Sequence, residues 1–87
     1  MENYLPEPPE NCHWQVWANL EDLSVSLGLY RTTKDDYTYV VASEMRVPGL
    51  ADANQLKAVL REKAYDLLCQ YEKLVAIESV AGIFYRS

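Results

Sequence analysis

The chain has 87 residues and a formal net charge of −5, from 13 acidic and 8 basic side chains. That length leaves room for one hydrophobic core rather than two, and the 49% hydrophobic fraction argues against disorder over most of it. Lys and Arg are scattered singly from Arg31 to Arg86, without the concentrated positive patch that a phosphate backbone needs, so nucleic acid is an unfavoured partner.

Residues 1–11 contain Pro6, Pro8 and Pro9 beside Glu2, Glu7 and Glu10. Proline blocks both helix and ladder pairing and favours an extended path. These residues read as a flexible acidic tail, with residues 12–87 as a single α+β domain. Tyr4 and Leu5 have two fates open to them, packing back on the body or reaching a partner as a docking arm. An acidic, proline-rich start is the reverse of a signal peptide. Cys12 and Cys69 are too few and too far apart for a disulfide framework. Free thiols in a reducing, cytoplasmic compartment are therefore expected. The longest apolar run falls far short of the ~20 residues that span a bilayer, so no membrane role is expected.

From His13 to Asn19 the pattern alternates. Trp14, Val16 and Ala18 share one face, while His13, Gln15, Trp17 and Asn19 share the other, which is the period of a strand. Asn19-Leu20-Glu21-Asp22 reads as a hairpin turn. A second strand follows, with Leu23, Val25, Leu27 and Leu29 opposite Ser24, Ser26, Gly28 and Tyr30. Residues 32–36 form a polar turn of hairpin length. Residues 37–47 give a third strand, with Tyr37, Tyr39, Val41, Ser43 and Met45 on one face and Thr38, Val40, Ala42, Glu44 and Arg46 on the other. Short connections make an antiparallel meander the simplest pairing.

Pro48-Gly49 ends the third strand. Asp52 then has the chemistry of an N-cap, with Gln55 three residues on as in a capping box. Ala53, Leu56, Leu60, Ala64, Leu67, Tyr71 and Leu74 recur at steps of three and four and define one apolar stripe of a long amphipathic helix. The stripe can run on through Ile77 and Val80, with Gly82 as the C′ residue and Ile83 folding back toward Ile77. The alternative is a helix that stops near Lys73 and a short strand within 75–85. The expected architecture is β-β-β-α. Trp14, Val16, Leu23, Val25, Leu27, Leu29, Tyr39 and Val41 would meet the helix at Leu56, Leu60, Leu67 and Tyr71. Trp17 and Tyr30 would then lie on an uncovered sheet face, unless a one-residue slip in register buried them.

No arrangement of residues points to catalysis, a metal or a cofactor. His13 is the single histidine, and its neighbour Cys12 would point to the opposite face of the strand. Two Cys and one His do not complete a structural zinc site. Glu62 and Asp66 are an i, i+4 pair best read as a solvated helix face. Gly28, Gly49 and Gly82 are isolated, which excludes phosphate-binding glycine loops.

The aromatic richness, the acidity and the lack of reactive chemistry together lead to an expectation of protein binding. The chain would be a stoichiometric inhibitor or accessory factor that occludes a partner's surface, including a basic one. Its size and charge compare with accessory proteins of phages and mobile elements. The candidate interface is Trp17, Tyr30, Gln15, Val40 and Tyr4. One alternative is a small-ligand or nucleotide binder at a homodimer seam, since an open face or edge can take up a second copy. The other is a nucleic-acid-binding βββα module, which the charge opposes.

Overall fold

The computed structural model describes residues 4–81. Its elements follow the order β1 (Cys12–Asn19), β2 (Ser24–Thr32), β3 (Thr38–Pro48) and α1 (Ala53–Ala81). The three strands form an antiparallel sheet in the order β1-β2-β3, and α1 packs across one face of it against β2 and β3. This is the α+β, β-β-β-α arrangement that the alternation and the helical stripe predict. The helix runs unbroken to Ala81, so a strand beginning at Val75 is excluded. Gly82 as C′ residue and Ile83 lie outside the described residues.

The β1–β2 pairing is regular from Cys12–Arg31 to Asn19–Ser24, which fixes the faces. Val16 opposite Leu27 and Trp14 opposite Leu29 look toward the helix. Gln15 opposite Gly28 and Trp17 opposite Ser26 look away from it. The predicted role of Leu23 in the core is corrected. Leu23 closes the β1–β2 turn with φ 56 and is 73% exposed. Hairpin loops of this length are commonly built on a tight turn followed by a left-handed residue, and here Leu23 takes that place. Gly49 packs beneath it. The Gly49 amide donates to the Leu23 carbonyl oxygen, at 3.0 Å, and a side chain at Gly49 would collide with that same oxygen.

The strict alternation expected of β3 is also corrected. Two register shifts interrupt its pairing with β2. Leu29 faces Ala42 and Tyr30 faces Val40, so Val41 is an extra residue. Val25 faces Val47 and Leu27 faces Glu44, so Met45 and Arg46 together oppose Ser26. Each bulge shifts the facing by one residue. As a result Ala42 and Val47 are the buried β3 residues, in place of Val41 as the core contributor. The core is Leu27, Ala42 and Val47 against Leu60, Ala64 and Leu67, with Trp14, Val25, Leu56 and Val59 packed around it. Ala42 and Ala64 are small enough to bring helix and sheet close. Leu27 and Leu67 are fully buried, and truncating either to Ala would cost about 2–5 kcal/mol.

Local chemistry anchors the helix at both ends of the sheet. The Asp52 carboxylate accepts from the amides of Asn54 (2.9 Å) and Gln55 (3.3 Å), as the N-cap pattern predicts. At the far end, the Arg31 guanidinium donates to both carboxylate oxygens of Glu78, at 3.3 and 2.7 Å. It also donates to the hydroxyls of Tyr39 and Tyr71 and lies over both rings. Glu78, and then the two hydroxyls, raise the Arg31 pKa further above its already high ordinary value. Burial is the main cause that pushes the Tyr71 phenol up, and a hydrogen bond with Cys12 adds to it.

Tyr4 and Leu5 pack against the core. The Cys12 amide donates to the Pro9 carbonyl oxygen (3.0 Å), which turns residues 4–9 back along β1. Trp14 Nε1 donates to the Pro6 carbonyl oxygen at 2.7 Å. Arg61 Nη1 donates to the Tyr4 carbonyl oxygen at 3.1 Å, and Lys57 sits over the Tyr4 ring.

Candidate protein-binding surface

The sheet face turned away from α1 has no second layer over it among the described residues. Its centre is nevertheless buried, because its own side chains fold across it. Ser26 is 0% exposed and Ser24 is buried as well. Buried hydroxyls need partners, and a compact network supplies them. Asn19 Nδ2 donates to Ser24 Oγ (3.0 Å) and Ser26 Oγ (2.9 Å). Ser24 Oγ donates to Asp22 Oδ1 (2.7 Å). The Arg46 amide, displaced by the bulge and held at φ 56, donates to Ser26 Oγ (3.2 Å). The Arg46 guanidinium then pairs with Asp22 Oδ2 at 2.7 Å. Ser24 first, and Arg46 after it, hold the Asp22 carboxyl below the ordinary carboxylate value.

Toward the other end of the face the surface becomes aromatic. Tyr30 stands beside His13 on the neighbouring strand. Their rings stack with centroids 5.7 Å apart and planes 18° from parallel. The Tyr30 ring also lies over Gly28. A Cβ at that position would come within 2.7 Å of its Cε1, so the absence of a side chain is what lets the ring lie flat on β2. Gln15, exposed and opposite Gly28, donates its amide to His13 Nε2 at 3.1 Å. Val40 stands opposite Tyr30 on β3 and is 48% exposed. Trp17 is half-buried opposite Ser26, and Met45 is exposed nearby on β3.

Four of the five residues predicted for an interface, Trp17, Tyr30, Gln15 and Val40, thus share this face. Tyr4 does not. It lies on the opposite side, in the seam between β1 and α1. The sequence presents His13 as a candidate for catalysis or for zinc, and not as half of the Tyr30 stack. Its parity with Gln15 and Trp17 was the available signal. Cys12 and His13 point to opposite faces, one toward Tyr71 and the other onto Tyr30. Both cysteines are free. Among the described residues no cluster of three or more His, Cys, Asp or Glu could hold a metal ion, and no helix is long and apolar enough to cross a membrane.

The seam beside Tyr4 opens into a groove of about 300 Å³, lined by Val16, Trp17, Ala18, Val25 and Leu56 with Lys57 at its side, so Trp17 borders this groove as well as the open face. It is an apolar concavity without the convergent polar groups that orient a small ligand. Comparison with known proteins assigns the chain to no family: no family model, no curated protein and no solved structure matches it.

Proposed function

We propose that this protein is a binding module that occupies a partner protein's surface with the open face of its sheet, and that it acts as a stoichiometric inhibitor or accessory factor. The observation that carries this reading is the His13–Tyr30 platform with Trp17, Val40 and Met45 around it, on a face with no second layer over it among the described residues. Rigid aromatic rings with polar tips contribute disproportionately to interface energy. Held against Gly28 and His13, Tyr30 loses little freedom on binding, which reduces the entropic penalty.

Charge describes the kind of partner. The open face itself carries Arg46 and no acid, and Arg46 is neutralised by Asp22. Acidic side chains stand at the turns on either end, Glu21 and Asp22 at one and Asp35 and Asp36 at the other. A partner with basic residues flanking a contact zone for aromatic rings matches that distribution. The same inventory weighs against nucleic acid. Among the described residues Arg31 is held by Glu78, Arg46 by Asp22, and Arg61 by the Tyr4 carbonyl and the Tyr65 hydroxyl.

The test is affinity capture from a cell extract with the wild type beside Tyr30→Ala and Trp17→Ala, with circular dichroism to check the fold. Removing a central ring is expected to cost about 2 kcal/mol, a weakening of roughly thirtyfold for the captured partner. Equal capture by folded variants would refute the assignment of this face. Capture of nucleic acid in place of protein would favour the other reading.

A further inference from the structure

The two edges of the sheet are protected in different ways. A free edge strand is a template for another chain, and folded proteins blunt it with charges, prolines, bulges or a covering segment. The outer strand β3 carries its own protection: two bulges, the charged Glu44 and Arg46, and Pro48 at its end. The outer strand β1 carries none. Cys-His-Trp-Gln-Val-Trp-Ala-Asn has no proline, no glycine and no bulge, and it is the one element of the four without a Lys, Arg, Asp or Glu. In a chain of net charge −5, β1 is therefore the place where two copies can approach with least repulsion.

We propose that β1 is a latent pairing edge for a second copy of this chain, and that residues 4–11 are the strap that keeps it closed. The strap runs back beside β1 into the β1–α1 seam. Side-chain hydrogen bonds from Trp14 to Pro6 and from Arg61 to Tyr4 hold it there, with the Cys12 amide bonded to the Pro9 carbonyl oxygen, Lys57 over the Tyr4 ring, and the packing of Tyr4 and Leu5. Pro6, Pro8 and Pro9 have no amide proton, so the strap cannot extend the ladder and become a new edge itself.

The chemistry of β1 suits a two-fold antiparallel pair. Centred on Val16, it sets Val16 against its own copy and Trp14 against Ala18 on the helix side, with Gln15 against Trp17 on the open side. Trp14 meets the small Ala18, no like charges meet, and both helices fall on one side of a six-stranded sheet. Lifting the strap would join the two open faces into one.

The experiment measures mass by size-exclusion chromatography with light scattering over a wide concentration range, using the full chain. The wild type is expected to remain a single chain. Trp14→Phe with Arg61→Gln, which removes the Trp14 and Arg61 side-chain bonds to the strap while retaining a ring in the core, is expected to shift the mass toward two chains. Tyr4→Ser with Leu5→Ser is expected to do the same. Adding Gln15→Lys, a charge on the β1 edge, should return either variant to one chain, whereas Met45→Lys on β3 should not. The proposal fails if strap variants with a native circular dichroism spectrum stay single at every concentration. It also fails if their dimers ignore Gln15→Lys, or if the wild type already pairs through β1 with its strap in place.

Discussion

Arg31 illustrates how much one side chain can carry in a small domain. It ties β2 to the last third of α1 through Glu78, with Tyr39 and Tyr71 holding the guanidinium from both sides. Both partners of the ion pair are mostly shielded from water, so the pair exceeds the near-zero worth of an exposed one. Arg31→Met is expected to lose about 2 kcal/mol of stability in urea denaturation, and a double-mutant cycle with Glu78→Gln should show coupling between the two. Asp22 contributes to the acid limb. Its carboxyl titrates lower in the fold than in the unfolded chain, with Ser24 as the main cause. Its contribution is therefore complete above the unfolded pKa near 4 and is lost as the pH falls through the folded value. Asp22→Asn should flatten the stability profile in that window, and added salt should do so partly, since the group is exposed. Asp22 was legible in the sequence only as a turn residue. Its partner Arg46 lies on another strand, and a bulge aims it, which no local pattern encodes.

Among the elements, β2 was the most readable and β3 the least. Both faces of β2 are decided by its alternation, because its neighbours leave no room for a slip. The alternation of β3 is just as clear in the sequence, yet two extra residues re-aim it, placing Ala42 and Val47 in the core where Val41 was expected. The amide of Arg46 finds Ser26 Oγ when the ladder no longer serves it, so the second bulge is stabilised by a side chain twenty residues away. Helix α1 was readable from its cap and stripe as far as Lys73, while the stretch beyond it was open to helix or strand until the structure carried the helix on to Ala81. At the centre of β2, Gly28→Ala should leave the fold intact but push the Tyr30 ring off the strand, since the new methyl would occupy the ring's place. The cost to stability should be about 1 kcal/mol. Loss of the ring-current shifts between His13 and Tyr30 in NMR spectra, together with weaker partner binding, would show that the platform depends on that glycine. Unchanged shifts would show that it does not.

For the molecule as a whole, the proposed binding role rests on the open sheet face and the acidic turns at both ends. If that partner is basic, association should slow as ionic strength rises while dissociation changes little, because charges at the rim act through steering. A rate insensitive to salt would leave the aromatic platform alone as the source of recognition. The sequence by itself determined the class of fold, the order of its elements and the helix cap, and it proposed the shared face of Trp17, Tyr30, Gln15 and Val40, which the strand register then fixed. All of these follow from periodicity and from chemistry within a few residues. Only the tertiary structure decided that Tyr4 packs in the seam, that Leu23 leaves the core, that His13 stacks on Tyr30 and that Arg31 binds Glu78. Each of these depends on groups far apart in the chain and brought together by packing, and hydrophobic pattern alone carries no information about such distances.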